Sequence, residues 1–359
     1  MIKTVALLLT LFFLSHSPSQ LQAQSQSPLP SQVNKVMDSC IKKGFNGVVL
    51  IADKGKITYE RYTGLASRHY DIPFSKASRF HIFSVTKTFT AALIMQLVEQ
   101  NKISLDSTIS AYYPEYKGEA GKKATIRNLL TYSSGRDLKE MRELIEAYST
   151  DNYPPDTFIT KFCSEKLIDT PGKKFDYNNG DYILLGKIIE KIYGRPYEEV
   201  LREKILHPLK MSSTDYLHHN DIIRGMAESY SYQDPQFYTP TNYYMDNYYS
   251  AGAMYSTPED LLIFDQAIFN HTLLKKATVD LMLTAYKDLG EVAFGFWVYP
   301  KKFGSVNTIF AERQGGGFGN HSNWVHLIDK DLTFILLANT DAVDLNTMRL
   351  KIIAAYLGQ

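Results

Sequence analysis

Apolar residues recur along this chain at two different spacings. Val33, Val36, Met37 and Ile41 fall at helical intervals and predict a helix over 32–43 that closes at Gly44. Two strand-like runs follow, 47–53 (GVVLIAD) and 56–62 (KITYERY). The short connection Lys54-Gly55 between them predicts a β-hairpin. Over 85–100 helix formers dominate, Leu93, Ile94, Leu97 and Val98 are apolar, and no Gly or Pro intervenes, which predicts a long, buried helix. Helical spacing continues through 126–132, 138–148, 182–193, 197–205 and 258–269, with breaks at Pro154-Pro155, Pro171-Gly172 and Gly194. Beyond residue 290 the pattern returns to β-branched and aromatic runs at 293–299, 323–328 and 332–337, and a last helix is expected over 343–357.

Strand patterns at both ends with helical patterns between them predict an α+β fold: an antiparallel sheet flanked by helices, built from both termini, with a mainly helical domain inserted. The expected division is 24–84 with 285–359 for the sheet domain and 85–284 for the helical one, with the active site at their junction. Residues 1–23 stand outside this scheme. Met1-Ile2-Lys3 leads into an apolar run at 5–14, the length of a signal-peptide core and too short to span a bilayer, so an exported protein cut after Ala23 is expected.

Charge narrows the choice of partner. Lys plus Arg number 39 against 38 for Asp plus Glu, so nothing favours nucleic acid or an anionic membrane surface, and a small-molecule or peptide substrate is expected. The two cysteines, Cys40 and Cys163, make no disulfide framework and no thiolate cluster for zinc, and they fall in segments assigned to different domains, so two separate buried thiols are expected. No metal-ligand spacing, phosphate loop or Gly-x-Ser-x-Gly elbow occurs, and no cofactor or metal is called for.

The chemistry is concentrated at Ser84-Val85-Thr86-Lys87. Three residues apart at a helix start, the hydroxyl and the amine share one face. A serine becomes a nucleophile when a neighbour takes its proton, and a desolvated lysine can do this. Ser39-Cys40-Ile41-Lys42 has the same spacing, but it lies mid-helix with nothing nearby to complete a site.

Segments 83–92 (FSVTKTFTAA), 101–106 (NKISLD), 125–135 (TIRNLLTYSSG), 171–179 (PGKKFDYNN), 207–211 (HPLKM) and 256–261 (STPEDL) appear in an order that resembles the serine beta-lactamase-like and penicillin-binding-protein superfamily. That group holds class C beta-lactamases, D-aminopeptidases, D,D-carboxypeptidases and esterases. The resemblance makes Ser84 the nucleophile. It makes Tyr177-Asn178-Asn179 the family's Tyr-x-Asn motif, with Tyr177 sharing the proton work of Lys87, and Asn179 holding Lys87 and the substrate carbonyl.

The family's third motif, Lys-Thr-Gly or His-x-Gly, is absent, and Arg313-Gln314-Gly315 with Gly316 stands in its place. The resemblance implies that the Gly316 amide pairs with that of Ser84 as an oxyanion hole. Two readings of Arg313 stand side by side: a fork that grips an anionic group on the substrate, or a partner for a neighbouring protein carboxylate. Eight aromatic residues between Ser229 and Ser250 either line the cleft or pack, and His207 and His321 are read as structural.

The expected function is a serine hydrolase that acylates Ser84 with an ester or amide, a peptidase or esterase on a peptidoglycan-like or small acyl substrate. The alternatives are a beta-lactamase and a penicillin-binding sensor that does not turn over.

Overall fold

A computed structural model of the chain describes residues 29–359, so the expected leader and its cleavage point lie outside the described residues. The first helix, α1 (Leu29–Ile41), leads into strands β1 (Gly47–Asp53) and β2 (Lys56–Thr63), the expected hairpin. Near the other end come β3 (Trp297–Phe303), β4 (Val306–Gly317), β5 (Asn320–Leu327) and β6 (Leu332–Ala338). All six join one antiparallel sheet in the order β3-β4-β5-β6-β1-β2, so the strand nearest the N-terminus lies beside the last strand of the chain. Gly47 faces Ala338 and Ile51 faces Phe334 across that join.

Alternation along these strands sorts the core into two layers, because successive side chains point to opposite faces. Val48, Leu50, Ile335 and Leu337 face the helical part of the molecule. Val49, Ile51, Phe334 and Leu336 face α1 together with the terminal helix Leu345–Tyr356, which packs through Met348, Ile352 and Ile353. Both faces being covered, β1 is apolar from Val48 to Ala52, and β6 is apolar except for the buried Thr333. Cys40 sits in the second layer and Cys163 in the first, both buried and unpaired, as expected from their positions in sequence.

The long helix expected over 85–100 is Thr86–Glu99, here α2, entered through a single tight turn at Phe83–Val85. Its residues 86–95 are all buried, including the hydroxyls of Thr88 and Thr90 and the amine of Lys87. Such polar groups need partners inside the protein. Thr88 donates to Gly295 O (2.8 Å) and Thr90 to Ser250 O (2.6 Å).

A small three-stranded sheet fixes how the chain enters this helix: Phe80–His81 pairs with Met254–Ser256, which also pairs with Asp215–Tyr216. Residues just before Ser84 and just after Gly252 are thereby held side by side.

Several boundaries moved. The strand expected at 293–299 begins at Trp297, because Gly295 takes a positive φ of 82° and turns the chain before it. The helix expected over 138–148 is broken into Lys139–Arg142 and a wide turn at Glu146–Thr150. Among the described residues no helix is long and apolar enough to cross a membrane.

Candidate active site

Ser84 lies on the turn that opens α2, half-buried at the floor of a cleft of about 600 Å³. Phe83 before it has a positive φ of 42°, rare for a side chain of that size, and packs against Tyr243, Tyr248 and Phe318. One helical turn on, Lys87 is sealed from solvent. Its Nζ donates to Ser84 Oγ (3.0 Å), Asn179 Oδ1 (2.7 Å) and Ala251 O (2.8 Å). Tyr177 Oη lies 2.7 Å from the same Ser84 Oγ, so the serine hydroxyl touches an amine and a phenol together.

The electrostatics follow from burial and from the signs of the neighbours. Burial, helped by the nearby Arg313 cation and opposed by Tyr177, brings the Lys87 amine down to about 8. For Tyr177 burial works the other way, but the charges of Lys87 and Arg313 and the hydrogen bonds to Ser84 and Lys87 outweigh it, and the phenol also falls to about 8. Two groups of opposite charge type with similar proton affinities, both touching one hydroxyl, can pass a proton at little cost near neutral pH.

Strand β4 forms the cleft wall next to Ser84. Gly315 could carry no side chain there: a Cβ would lie 2.2 Å from Ile82 O and 2.9 Å from Ser84 N. Ser322 on β5 ties the strands to the nucleophile's turn by donating to Ile82 O (3.0 Å). Gly316, exposed to the cleft, pairs with His321, and Gln314 also lines the cleft while its amide reaches Glu312 (3.3 Å).

The beta-lactamase family profile matches residues 33–357. The chain belongs to the beta-lactamase family. It is accordingly a serine hydrolase, acting on amide or ester bonds. It is similar to the teichoic acid D-alanine hydrolase of Staphylococcus aureus (strain NCTC 8325), 27% identical over 315 residues that span 82% of this chain and 74% of that protein. In structure it resembles FmtA of the same species, at a TM-score of 0.78 and 24% identity over 92% of this chain and 90% of that one. It also resembles the D-amino acid amidase of Ochrobactrum anthropi SV3 in complex with L-phenylalanine amide, at a TM-score of 0.80 and 22% identity over 92% and 99% of the two chains.

Against this beta-lactamase family frame, Arg313 is where expectation and structure part. It is fully buried, is not among the residues that line the cleft, and among the described residues forms no ion pair with a carboxylate. Its Nε donates to Ser84 O (2.7 Å), Nη1 to Tyr132 Oη (2.8 Å) and Nη2 to Tyr177 Oη (3.1 Å), with the Trp297 ring 5.1 Å away. The strand direction aims it inward, behind the nucleophile. Asn179 accepts from Lys87 through Oδ1, and one hydrogen of its amide nitrogen goes to Tyr148 Oη (3.1 Å).

His321, read as structural, lines the cleft. The aromatic segment mostly packs: Tyr243 stacks on Phe318 (4.0 Å) and Tyr248 on Tyr148 (4.3 Å). Two site residues carried no warning in the sequence reading: Tyr132, inside the 125–135 segment, and Ala251, which contributes only a backbone carbonyl.

Beneath the Tyr177-Asn178-Asn179 turn lies a buried ionic cluster. Arg136 donates to Asp181 (3.0 Å), Glu140 (3.2 Å) and Asn178 Oδ1 (3.2 Å), while Glu140 also accepts from Gly180 N (3.1 Å). These bonds fix the turn that delivers Tyr177.

Proposed function

We propose that this chain hydrolyses esters of small acyl groups through an acyl-enzyme on Ser84. The observation that carries the reading is the double contact of Ser84 Oγ, with Tyr177 Oη at 2.7 Å and Lys87 Nζ at 3.0 Å, at the floor of an open cleft. Tyr177 as phenolate, or Lys87 as amine, takes the serine proton while Oγ bonds to the substrate carbonyl carbon. The amides of Ser84 and Gly316 hold the oxyanion. Collapse breaks the bond to the alcohol, which leaves with the proton. Water then repeats the sequence on the acyl-enzyme and frees the acid and Ser84. Asn179 keeps Lys87 in place, and Arg313 keeps Tyr177 biased towards phenolate.

The cleft supports an acyl group that bears an ammonium. Asp341 and Asp344 line it, and no Lys or Arg is among its lining residues. A D-alanyl ester has that charge, and the relationship to a teichoic acid D-alanine hydrolase makes it the first substrate to try. A substrate of this kind sits in the cell wall, which agrees with an exported enzyme.

The test is steady-state hydrolysis of a p-nitrophenyl ester and of a D-alanyl ester beside its N-acetylated counterpart, by the mature protein and its Ser84→Ala variant. Turnover that vanishes in the variant, with the free-amine ester preferred at least tenfold in kcat/KM, is expected. Equal turnover in both proteins would remove Ser84 from the mechanism, and preference for the acetylated ester would remove the ammonium.

A further inference from the structure

A second cavity, of about 320 Å³, lies in the helical part of the molecule and shares no lining residue with the Ser84 cleft. Its walls include the rings of Tyr216 and Tyr249, set nearly at right angles (70°, centroids 6.4 Å apart), with Pro196 and the carboxylates of Glu190, Glu198 and Asp246.

The three carboxylates are not equivalent. Glu190 accepts from Lys187 (3.0 Å) and the Tyr197 amide (3.0 Å). Asp246 accepts from the His219 amide (2.8 Å) and Asn152 (3.2 Å) and meets His218 (2.7 Å). The Glu198 carboxylate, half-buried on the cavity wall, has no hydrogen bond or ion pair among the described residues, although it acts on the Arg202 guanidinium through space. Tyr249 is 3% exposed, and its hydroxyl, which lies beside the Glu190 carboxylate, makes no well-formed hydrogen bond. A buried phenol left unsatisfied is costly unless something else completes it.

Aromatic faces, an unpaired carboxylate and a phenolic oxygen without a well-formed hydrogen bond are acceptors for one kind of ligand, an ammonium on a short apolar stem. The ammonium hydrogens have Glu198 and the Tyr249 oxygen to bond, and the stem has the rings and Pro196 to pack on.

The position of Tyr249 makes the cavity more than a storage site. With φ 42° and ψ −132° it opens the short helix Tyr249–Gly252, whose Ala251 carbonyl accepts from Lys87 (2.8 Å) and whose Ser250 carbonyl accepts from Thr90 (2.6 Å). Thr90 also meets Tyr197 Oη at 2.7 Å, and Tyr197 is the neighbour of Glu198. A ligand drawn to Glu198 and Tyr249 therefore bears on both groups that seat α2 behind the nucleophile.

We propose that this cavity binds a small alkylammonium and that its occupancy changes the rate at which Ser84 is acylated, through Tyr249, Ala251 and Lys87. The binding half is independent of the catalytic reading, and the coupling half rests on it, so the two are measured apart.

Binding is measured by calorimetric titration of the Ser84→Ala protein with n-pentylammonium and with neutral 1-pentanol. One saturable pentylammonium site is expected, with pentanol at least tenfold weaker and a tenfold or greater loss for pentylammonium in Ser84→Ala/Glu198→Gln. Equal affinity of the two probes, or no loss in the double variant, overturns the site. Coupling is read as first-turnover release of p-nitrophenolate from p-nitrophenyl acetate, each protein referred to its own unliganded rate. At least a twofold change in the otherwise native enzyme, absent in Glu198→Gln, is expected. Saturable binding with an unchanged acylation rate overturns the coupling, and pure competition with the ester places the probe in the Ser84 cleft and overturns both.

Discussion

Lys87 and Arg136 are both cations withdrawn from water, and they stand on either side of one turn, Tyr177-Asn178-Asn179. Asn179 accepts from Lys87 and Asn178 accepts from Arg136. What differs is the rest of the company. Lys87 is held by a hydroxyl, an amide oxygen and a peptide carbonyl, none of which carries a charge, and burial lowers its proton affinity to about 8. For Arg136 burial pulls the same way, yet Glu140 and Asp181 overcome it and hold the guanidinium well above its usual range. Equal burial thus gives a base in one place and a strut in the other, and the presence of carboxylates decides which.

The largest effect expected from this contrast is on catalysis. Lys87→Met keeps length and removes the amine, and should lower kcat/KM for a p-nitrophenyl ester by about 10²–10⁴-fold, the range of a lost general base. Stability should move by less than about 2 kcal/mol, since orphaning Asn179 Oδ1 and Ala251 O is offset by releasing a cation from a site without a carboxylate. Arg136→Met should act chiefly on stability, and on activity only through the Tyr177 turn that it fixes. It leaves Glu140 and Asp181 buried without their cation, which costs about 3–5 kcal/mol in urea unfolding. The contrast breaks if the two variants lose the same stability.

Much of this arrangement could be read before any coordinates. The Ser84–Lys87 spacing places both groups on one helix face, and the apolar runs at 47–53 and 332–337 announce a sheet drawn from both ends. What escaped the reading had physical reasons. Ala251 acts through a carbonyl, which has no side-chain signature. Arg136, Glu140 and Asp181 look like surface charges in a linear pattern, and only their convergence shows them to be interior. Strand β4 hides its alternation because buried Glu312 and Arg313 stand where apolar residues would mark it, and a glycine run follows. The type of Arg313 told what it can bond, but not which way the strand would aim it.

Arg313 tests the contrast most finely, because it is a third buried cation and, like Lys87, has no carboxylate among its partners. Unlike a lysine it keeps its proton in such a place. Its charge can then act only on others, and Tyr177 and Lys87 are the groups it acts on. The native log kcat/KM should rise with pH and level off near about 8, as the Tyr177–Lys87 pair loses its proton. Removing the cation by Arg313→Met withdraws stabilisation from phenolate and repulsion from the Lys87 ammonium. Both changes favour the protonated forms, so the rising limb should move up by about one pH unit. Activity should fall about tenfold at pH 7 and largely recover at pH 9, and Arg313→Lys should shift the limb less. A fall of equal size at every pH would show Arg313 working through Ser84 O and Tyr132 as a strut, in the company of Arg136 rather than Lys87.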